Sequence, residues 1–581
     1  MRPKRVDPVL REVVQNHLVS AAEEMSIALR RSAYSPIIWD QLDYATALFT
    51  PRGDLIAQSE TIPAQLGVMS TAIRSVIACH GAGVGPGDTF ILNHPYLGAT
   101  HTPDLILFQP VFRSRRRIGW SGSVAHHVDV GGRVPASEAP DNVEIYQEGL
   151  LLPPVRLFRQ GEPVRDVWEL VRANVRDPKA TLGDLRAQVA ACRTGGRRLL
   201  ELAQEVGEAR LLRLMEAILD HTEWATRLEI RRLPRGTFRA EGWMDNEVDS
   251  GGPLRVAARV RRAGSGLDVD FAGTDPQHNG SLNNPWASTL SAVYFAVKCF
   301  LRPHLAQNEG GYRPVRVRAP EGTLVRPRPP AAVSSRHLTQ QRVADVVLRA
   351  LAQAVPERAA AGCSIAFPAF SIDNHGPGSR RPLYFFSDIL GGGFGATRER
   401  DGANAVDTHL GNCALLQVEV AETEYPWRIV RSELVPDSGG PGRRRGGLGL
   451  VREYELLDEV AWCGHYLEQV TPKSAPWGMG GGRPGGLALC GIRRRGRWEK
   501  LCSKETRFEI RRGERLIYAS SGGGGWGSPA RRERGTIEAD RRDGYVTRAR
   551  TKAADGPARI RHPAATAPAR ARRAPAQGIA P

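Results

Sequence analysis

The sequence predicts an α+β protein of several domains, and three observations carry that reading. Apolar residues recur at helical spacing over 8–32 and again through a long stretch at 166–232. Short runs with period-two alternation, bounded by turn residues, lie between and after these stretches. From Gly391 onward, glycine-rich turns separate short strands, so the second half reads as β-rich against a helical N-terminal part. At 581 residues the chain exceeds one ordinary core, so more than one domain is expected.

Taken in order, 8–32 forms an amphipathic helix through Val9, Val13, Val14, Leu18, Ala21, Met25 and Leu29. Strands at 42–49 and 54–58 flank the turn Thr50-Pro51-Arg52-Gly53. A helix over 68–80 and the turn Gly85-Pro86-Gly87-Asp88 lead to a strand at 89–92. Helical spacing over 166–232 is expected to break at Gly195-Gly196, because paired glycines are poor helix formers. Alternating strands follow within 238–271, then helices at 288–300 and 340–354. These elements divide the chain into a part at about 1–165, a helical segment at 166–232, an α/β middle at 233–390 and a β-rich part at 391–528. A basic tail at 529–581, rich in Ala, Pro and Arg toward its end, is expected to be disordered.

The richest chemistry lies between the 89–92 strand and residue 132. Apolar runs at 105–112 and 118–125, joined by Arg113-Ser114-Arg115-Arg116-Arg117, read as a hairpin. Pairing Phe112 with Ile118 sets Asp104 opposite His126. Side chains alternate, so His126 shares the face of Asp104, Ile106, Phe108, Phe112, Ile118, Trp120 and Val124 while His127 points away, unless a bulge near Pro110 shifts the register by one. His101, three residues before Asp104, can turn back as a third ligand. Two imidazoles and one carboxylate with open positions suit zinc, manganese or ferrous iron at a catalytic site. The plain alternative is a set of hydrogen-bonded histidines with no ion.

Composition narrows the function classes. The chain is 41% hydrophobic and 24% charged, and no apolar stretch is long enough to span a bilayer. The N-terminus runs into its first helix without a signal-peptide core, which places the protein in the cytoplasm. Eight cysteines with no C-x-x-C pair suggest reduced, mostly buried thiols. The net charge of +18 is uneven: from Ala530 onward thirteen Lys or Arg face five Asp or Glu, leaving +10 for the preceding 529 residues. With 73 arginines and only seven lysines, the excess reads as codon bias rather than a phosphate-binding surface, so nucleic acid is not an expected partner.

Several motifs fail on physical grounds. Asp437-Ser438-Gly439-Gly440-Pro441 mimics a serine-protease nucleophile loop, but Pro436 has no N–H for the oxyanion hole, so a tight turn is expected. Gly391–Gly395 and Ser521–Gly527 resemble phosphate loops, yet no Lys-Ser/Thr pair follows either, and no G-x-x-x-x-G-K-[ST] occurs. Turns or close packing are expected there. Gly81-Ala82-Gly83-Val84-Gly85 lacks the dinucleotide spacing. Any ATP used is therefore expected on another chain.

Taken together, Arg31-Ser32-Ala33-Tyr34-Ser35, Leu42-Asp43-Tyr44, Asn93-His94-Pro95-Tyr96-Leu97-Gly98 with Thr100-His101 and Asp104, and Ala125-His126-His127-Val128-Asp129-Val130-Gly131-Gly132 carry a family resemblance. Farther on, Asp270-Phe271-Ala272-Gly273-Thr274, Asn308-Glu309-Gly310-Gly311, Arg445-Gly446-Gly447-Leu448-Gly449 and Gly522–Gly527 extend it. From about Pro8 to Gly527 the chain resembles the B-type component of the hydantoinase B/oxoprolinase family, which includes the acetone carboxylase α subunit. The resemblance implies a large mixed hydantoinase B-like fold and a hetero-oligomer with a hydantoinase A-type ATPase subunit. It implies ATP-dependent opening of a cyclic amide such as a hydantoin or 5-oxoproline, with carboxylation of a ketone as the alternative branch. A degenerate scaffold is the non-catalytic alternative. By resemblance the metal ligands are His101, Asp104 and His126. The chain departs from the family at His94, where an aspartate is usual, and at Gln65, where a histidine is common. His94 is then either an added ligand or a surface substitution.

Overall fold

A computed structural model describes residues 6–547, apart from Leu66, Glu247, Asp249, Ser250, Arg302 and Pro303. The first helix runs Pro8–Ser32: Asp7 caps it by accepting the N–H groups of Val9 and Leu10, and Pro8 supplies a preset φ at its first turn. Its buried stripe, Val14, Leu18, Ala21, Ala22, Met25 and Leu29, faces the helices Pro178–Val206 and Glu208–Arg232 and one side of a seven-stranded sheet.

That sheet contains β1 (Tyr44–Phe49), β2 (Leu55–Gln58), β3 (Thr89–Leu92), β4 (Asp104–Arg113), β5 (Arg116–His126), β6 (Val155–Arg159) and β7 (Glu162–Pro163), in the order β2-β1-β5-β4-β3-β6-β7. Both faces are covered, which explains why β1, β3, β4 and β5 read as near-continuous apolar runs. On one face Phe90, Ile106, Phe108, Trp120 and Val124 pack with Val68, Met69, Ala72, Ile73 and Val76 of the helix Val68–His80. On the other, Leu105 and Leu107 pack with Leu185, Val189 and Cys192 of the Pro178–Val206 helix.

The hairpin register is right at its functional end and wrong at its turn. Asp104 pairs with His126 and Val111 with Gly119, but Phe112 pairs with Arg117, because a bulge falls between Val111 and Phe112. The bulge sends Ile118 to the helical side with Val111, away from the face expected for it. The break expected at Gly195-Gly196 is also absent: one helix spans Pro178–Val206, and breaks fall before Pro178 and at Gly207, whose φ is +81°. Gly195 is there for packing, since any Cβ at that position would run into Met25 of the first helix.

The second sheet holds β8 (Thr237–Met244), β9 (Leu254–Ala263), β10 (Gly266–Asp270) and β11 (Val315–Arg318), in the order β11-β10-β9-β8. The helices Trp286–Leu301 and Arg336–Ala354 pack with it through Val256, Val260, Val293, Val343 and Val347. The latter helix begins at Arg336, four residues before the expected start at Gln340, and its first turn is buried despite its polar composition.

The remaining strands are β12 (Ala369–Asp373), β13 (Phe385–Ile389), β14 (Trp427–Leu434), β15 (Leu450–Leu456), β16 (Val460–Tyr466), β17 (Leu489–Arg494), β18 (Arg497–Lys500), β19 (Lys504–Arg511) and β20 (Arg515–Ala519). They form a sheet ordered β13-β12-β16-β19 and another ordered β14-β15-β20-β17-β18, so strand pairing runs across position 390. The glycine-rich stretches are close-packing segments. Gly440 N–H donates to Gly523 O, Gly523 N–H to Gly447 O, Gly447 N–H to Phe394 O, and Gly524 N–H to Gly362 O, joining distant stretches backbone to backbone. Ser438 is in a buried turn, its hydroxyl donating to Val435 O and accepting from Gly449 N–H.

Chain order extends past position 529. Pro529–Arg531 and Arg534–Arg542 are helical, Arg532 bridges Asp401 and Asp540, and Thr547 binds Asp437. This corrects the expected disorder for 529–547; residues 548–581 lie outside the described residues. Of the eight cysteines, Cys192, Cys363, Cys463 and Cys490 are buried, Cys413 is half-buried and Cys79, Cys299 and Cys502 are exposed. Among the described residues no helix is long and apolar enough to cross a membrane.

Candidate functional site

The end of the β4–β5 hairpin places Asp104 and His126 opposite each other, and the turn before β4 brings His101 back onto the same carboxylate. Asp104 Oδ1 lies 3.2 Å from His126 Nδ1, and Oδ2 lies 3.1 Å from His101 Nδ1. One ligand atom from each of the three falls within 4.8 Å of the others. His101 and Asp104 are buried, while His126 opens toward a cleft. His127 points the other way, its Nε2 3.0 Å from Gln188 Oε1 among the helices. His94 stands apart from the trio and accepts the Tyr96 N–H as the cap of a short turn, so it is not an added ligand.

Further residues complete the site. Gln65 Nε2 donates to Asp104 Oδ2 at 2.9 Å, and the Thr100 hydroxyl donates to the same oxygen. Arg336 Nη2 reaches Asp104 Oδ2 at 3.1 Å and His101 Nδ1 at 3.3 Å, while its Nη1 binds Gln340 Oε1 at 2.8 Å. On the other side of His101, Nε2 lies 3.1 Å from Glu138 Oε1, and Tyr466 donates to Glu138 Oε2. A relay Tyr466–Glu138–His101–Asp104–His126 therefore orients both imidazoles, the kind of outer support that fixes a ligating histidine's ring and tautomer. Asp43 stands close enough to feel the charges of His126, Asp104 and Arg336, and its carbonyl accepts the His126 N–H.

These neighbours set the protonation states. Burial alone would raise the Asp104 carboxyl, but the charge of His101, hydrogen bonds from both imidazoles and Arg336 hold it well below the usual carboxylate range. Burial works against a charged His126, yet the hydrogen bond to Asp104 and the charges of Asp43 and Glu138 lift it to about 9. Glu138, opposed by burial, is brought down to about 2 by His101 and its neighbours. His337 has the opposite outcome: burial pushes it down to about 3 and leaves a neutral ring between Tyr466 and Phe367.

An acidic, buried donor set of this kind can hold a divalent cation. The cleft beside it has a cavity volume of about 90 Å³. His101, Asp104 and His126 were readable from local sequence and register. Arg336, His337, Glu138 and Tyr466 were not, because they arrive from distant segments. The run Arg336–Arg342 did carry one signal, since so many polar residues at the head of a helix packed on a sheet need buried partners.

The family model for hydantoinase B/oxoprolinase matches residues 7–529. A protein of Pseudomonas sp. (strain NS671), named provisionally as the B component of a D-/L-hydantoinase, is 34% identical, with 94% of each chain covered. The crystal structure of an ATP-dependent caprolactamase from Pseudomonas jessenii superposes with a TM-score of 0.87 at 31% identity, covering 94% of this chain and 95% of that one. An acetone carboxylase structure gives a TM-score of 0.87 at 20% identity, covering 94% of this chain and 79% of that one, a likeness of fold alone. With the family model matching nearly its whole length, the chain belongs to the hydantoinase B/oxoprolinase family.

Proposed function

We propose that this protein is the metal-bearing B-type component of an ATP-dependent enzyme that opens cyclic amides, acting with a separate hydantoinase A-type ATPase subunit in the cytoplasm. The observation that carries the reading is the convergence of His101, Asp104 and His126 on one point at the edge of a cleft. Family membership supplies the reaction class, and the relatives named above act on a lactam or are named for a hydantoin.

In this reading His101, Asp104 and His126 hold a manganese, zinc or ferrous ion, which supplies Lewis-acid polarisation of a carbonyl or an activated water. The chain's own residues do the rest. Glu138 and Tyr466 keep His101 in place, Gln65 and Thr100 bind the Asp104 oxygen that faces Arg336, and Asp43 adds a carboxylate beside His126. Asp43, which lines the cleft and whose carboxyl burial raises above its ordinary value, is the carboxylate available to take a proton from attacking water.

Metal content measured by mass spectrometry on purified protein tests the assignment. Near-stoichiometric metal is expected in the wild type and in His127→Ala, and its loss in His101→Ala, Asp104→Ala and His126→Ala. A wild type that takes up no manganese, zinc or iron on reconstitution, or an Asp104→Ala variant that keeps its metal, would overturn it.

A further inference from the structure

A second hollow shares no lining residue with the cleft beside the trio. It lies between the helices Arg165–Asn174 and Pro178–Val206, which diverge from the short turn at 175–177, and Phe158 of the β6–β7 hairpin lines its wider end. Its cavity volume is about 670 Å³. Small-molecule sites typically occupy about 300–1,000 Å³. Apolar Val189 and the rings of Phe158 and Trp168 line it, and four arginines, Arg165, Arg172, Arg186 and Arg193, face one carboxylate, Glu169.

The charges there are poorly matched. Glu169 holds Arg172 at 2.9 Å, which leaves three guanidiniums uncompensated. Arg165, Arg186 and Arg193 make no ion pair or hydrogen bond among the described residues. Two of them rest on aromatic faces instead: Arg186 Cζ lies 5.6 Å from the centre of the Trp168 ring and Arg193 Cζ 5.7 Å from that of Phe158, while the two rings meet edge to face at 5.9 Å. Stacking of this kind holds the guanidinium plane and leaves its N–H donors free for a ligand. The other arginine-lined hollow, on the second sheet, differs in this respect, because Asp270 pairs with Arg259 and Asp268 with Arg261.

Spacing narrows the ligand. Arg165 and Arg172 are seven residues apart on one helix, and Arg186 and Arg193 seven apart on the other. Each wall therefore carries two guanidiniums two turns apart, about 10 Å along the axis. Like charges held round one hollow repel, and an anion with several charges along its length relieves that repulsion. Guanidinium forks match the oxygens of a phosphate group.

We propose that this hollow binds a small polyphosphate anion, its phosphate chain lying between the two pairs of arginines. A free polyphosphate and the triphosphate of a nucleotide share that chemistry. The inference is independent of the trio and of the reaction assigned to it.

Calorimetric titration of the full chain with tripolyphosphate, ATP and orthophosphate, in chelator and without divalent ions, tests it. Tripolyphosphate and ATP are each expected to bind at one site at least tenfold more tightly than orthophosphate, with affinity falling as salt rises. ATP binding more tightly than tripolyphosphate would support a nucleotide as the source; equal affinity would support the phosphate chain alone. The double variant Arg186→Gln/Arg193→Gln should weaken both ligands at least tenfold, and Arg165→Gln, on the opposite wall, at least threefold; all three side chains are exposed, so the fold should survive. Absence of saturable binding, orthophosphate binding as tightly as tripolyphosphate, or affinity unaltered in both variants would overturn the proposal.

Discussion

Asp104 shows how much one side chain can organise. Its two oxygens receive His126, His101, Gln65, Thr100 and Arg336, so one carboxylate ties together five side chains. Glu148 does similar work at one remove. Its Oε1 accepts the N–H groups of Val333 and Ser334, just ahead of Arg336 and His337, and its backbone carbonyl accepts the Thr102 hydroxyl. Burial pushes its carboxyl up to about 8, against the hydrogen bonds that lower it. A raised acid favours the protonated native state, so its contribution to stability is complete below about 4.5 and is lost as pH rises toward 8. The slope is at most about 1.4 kcal/mol per pH unit. Glu148→Gln keeps the acceptor and should flatten that slope in urea unfolding measured from pH 5 to 9. An unchanged slope would place the proton elsewhere. Neither Glu148 nor Glu138 was legible in the sequence, because each sits in an irregular segment and acquires its role only when distant residues, Val333 and Ser334 for one and Tyr466 for the other, fold against it.

At the scale of elements, local pattern was enough where a strand or helix follows its own period. The helices Pro8–Ser32 and Val68–His80 and the strand Thr89–Leu92 lie where apolar spacing puts them. The hairpin register at Asp104 and His126 was also readable, and Pro110 pointed to a bulge nearby, though its place beside Val111 was not fixed, since nothing in an apolar run marks which residue is left unpaired. Local reading fell short at Gly195, where it expected a break, and at Gly523 it left turn and close packing both open. Gly195 sits mid-helix to admit Met25, and Gly523 lets its backbone lie against Phe394, contacts made by tertiary packing rather than by turn geometry. Gly195→Ala gains about 1 kcal/mol of helix propensity but overfills the contact with Met25, at a cost of about 1–3 kcal/mol. A net loss of stability by denaturant titration is therefore expected. Gly523→Ala has no compensating gain, because a Cβ would meet the Phe394 carbonyl, and its loss should be the larger of the two.

For the whole molecule, the site draws on the first sheet for Asp104 and His126, on the helix over the second sheet for Arg336 and His337, and on the third sheet for Tyr466. An ion on the trio would therefore stabilise the joint between these layers as well as the hairpin. At a free-ion concentration a hundred times its Kd, binding adds about 2.7 kcal/mol to the unfolding free energy. Thermal melts with and without a chelator should differ accordingly in the wild type and coincide in His126→Ala. The fold class and the trio were visible at the start because both are written in contiguous residues, whereas the cleft is assembled from residues between Pro36 and Tyr466. The hairpin that carries the trio is one short stretch, while the cleft lining is scattered over distant stretches of the chain, so substitutions at the lining can reshape the cleft and leave the trio untouched.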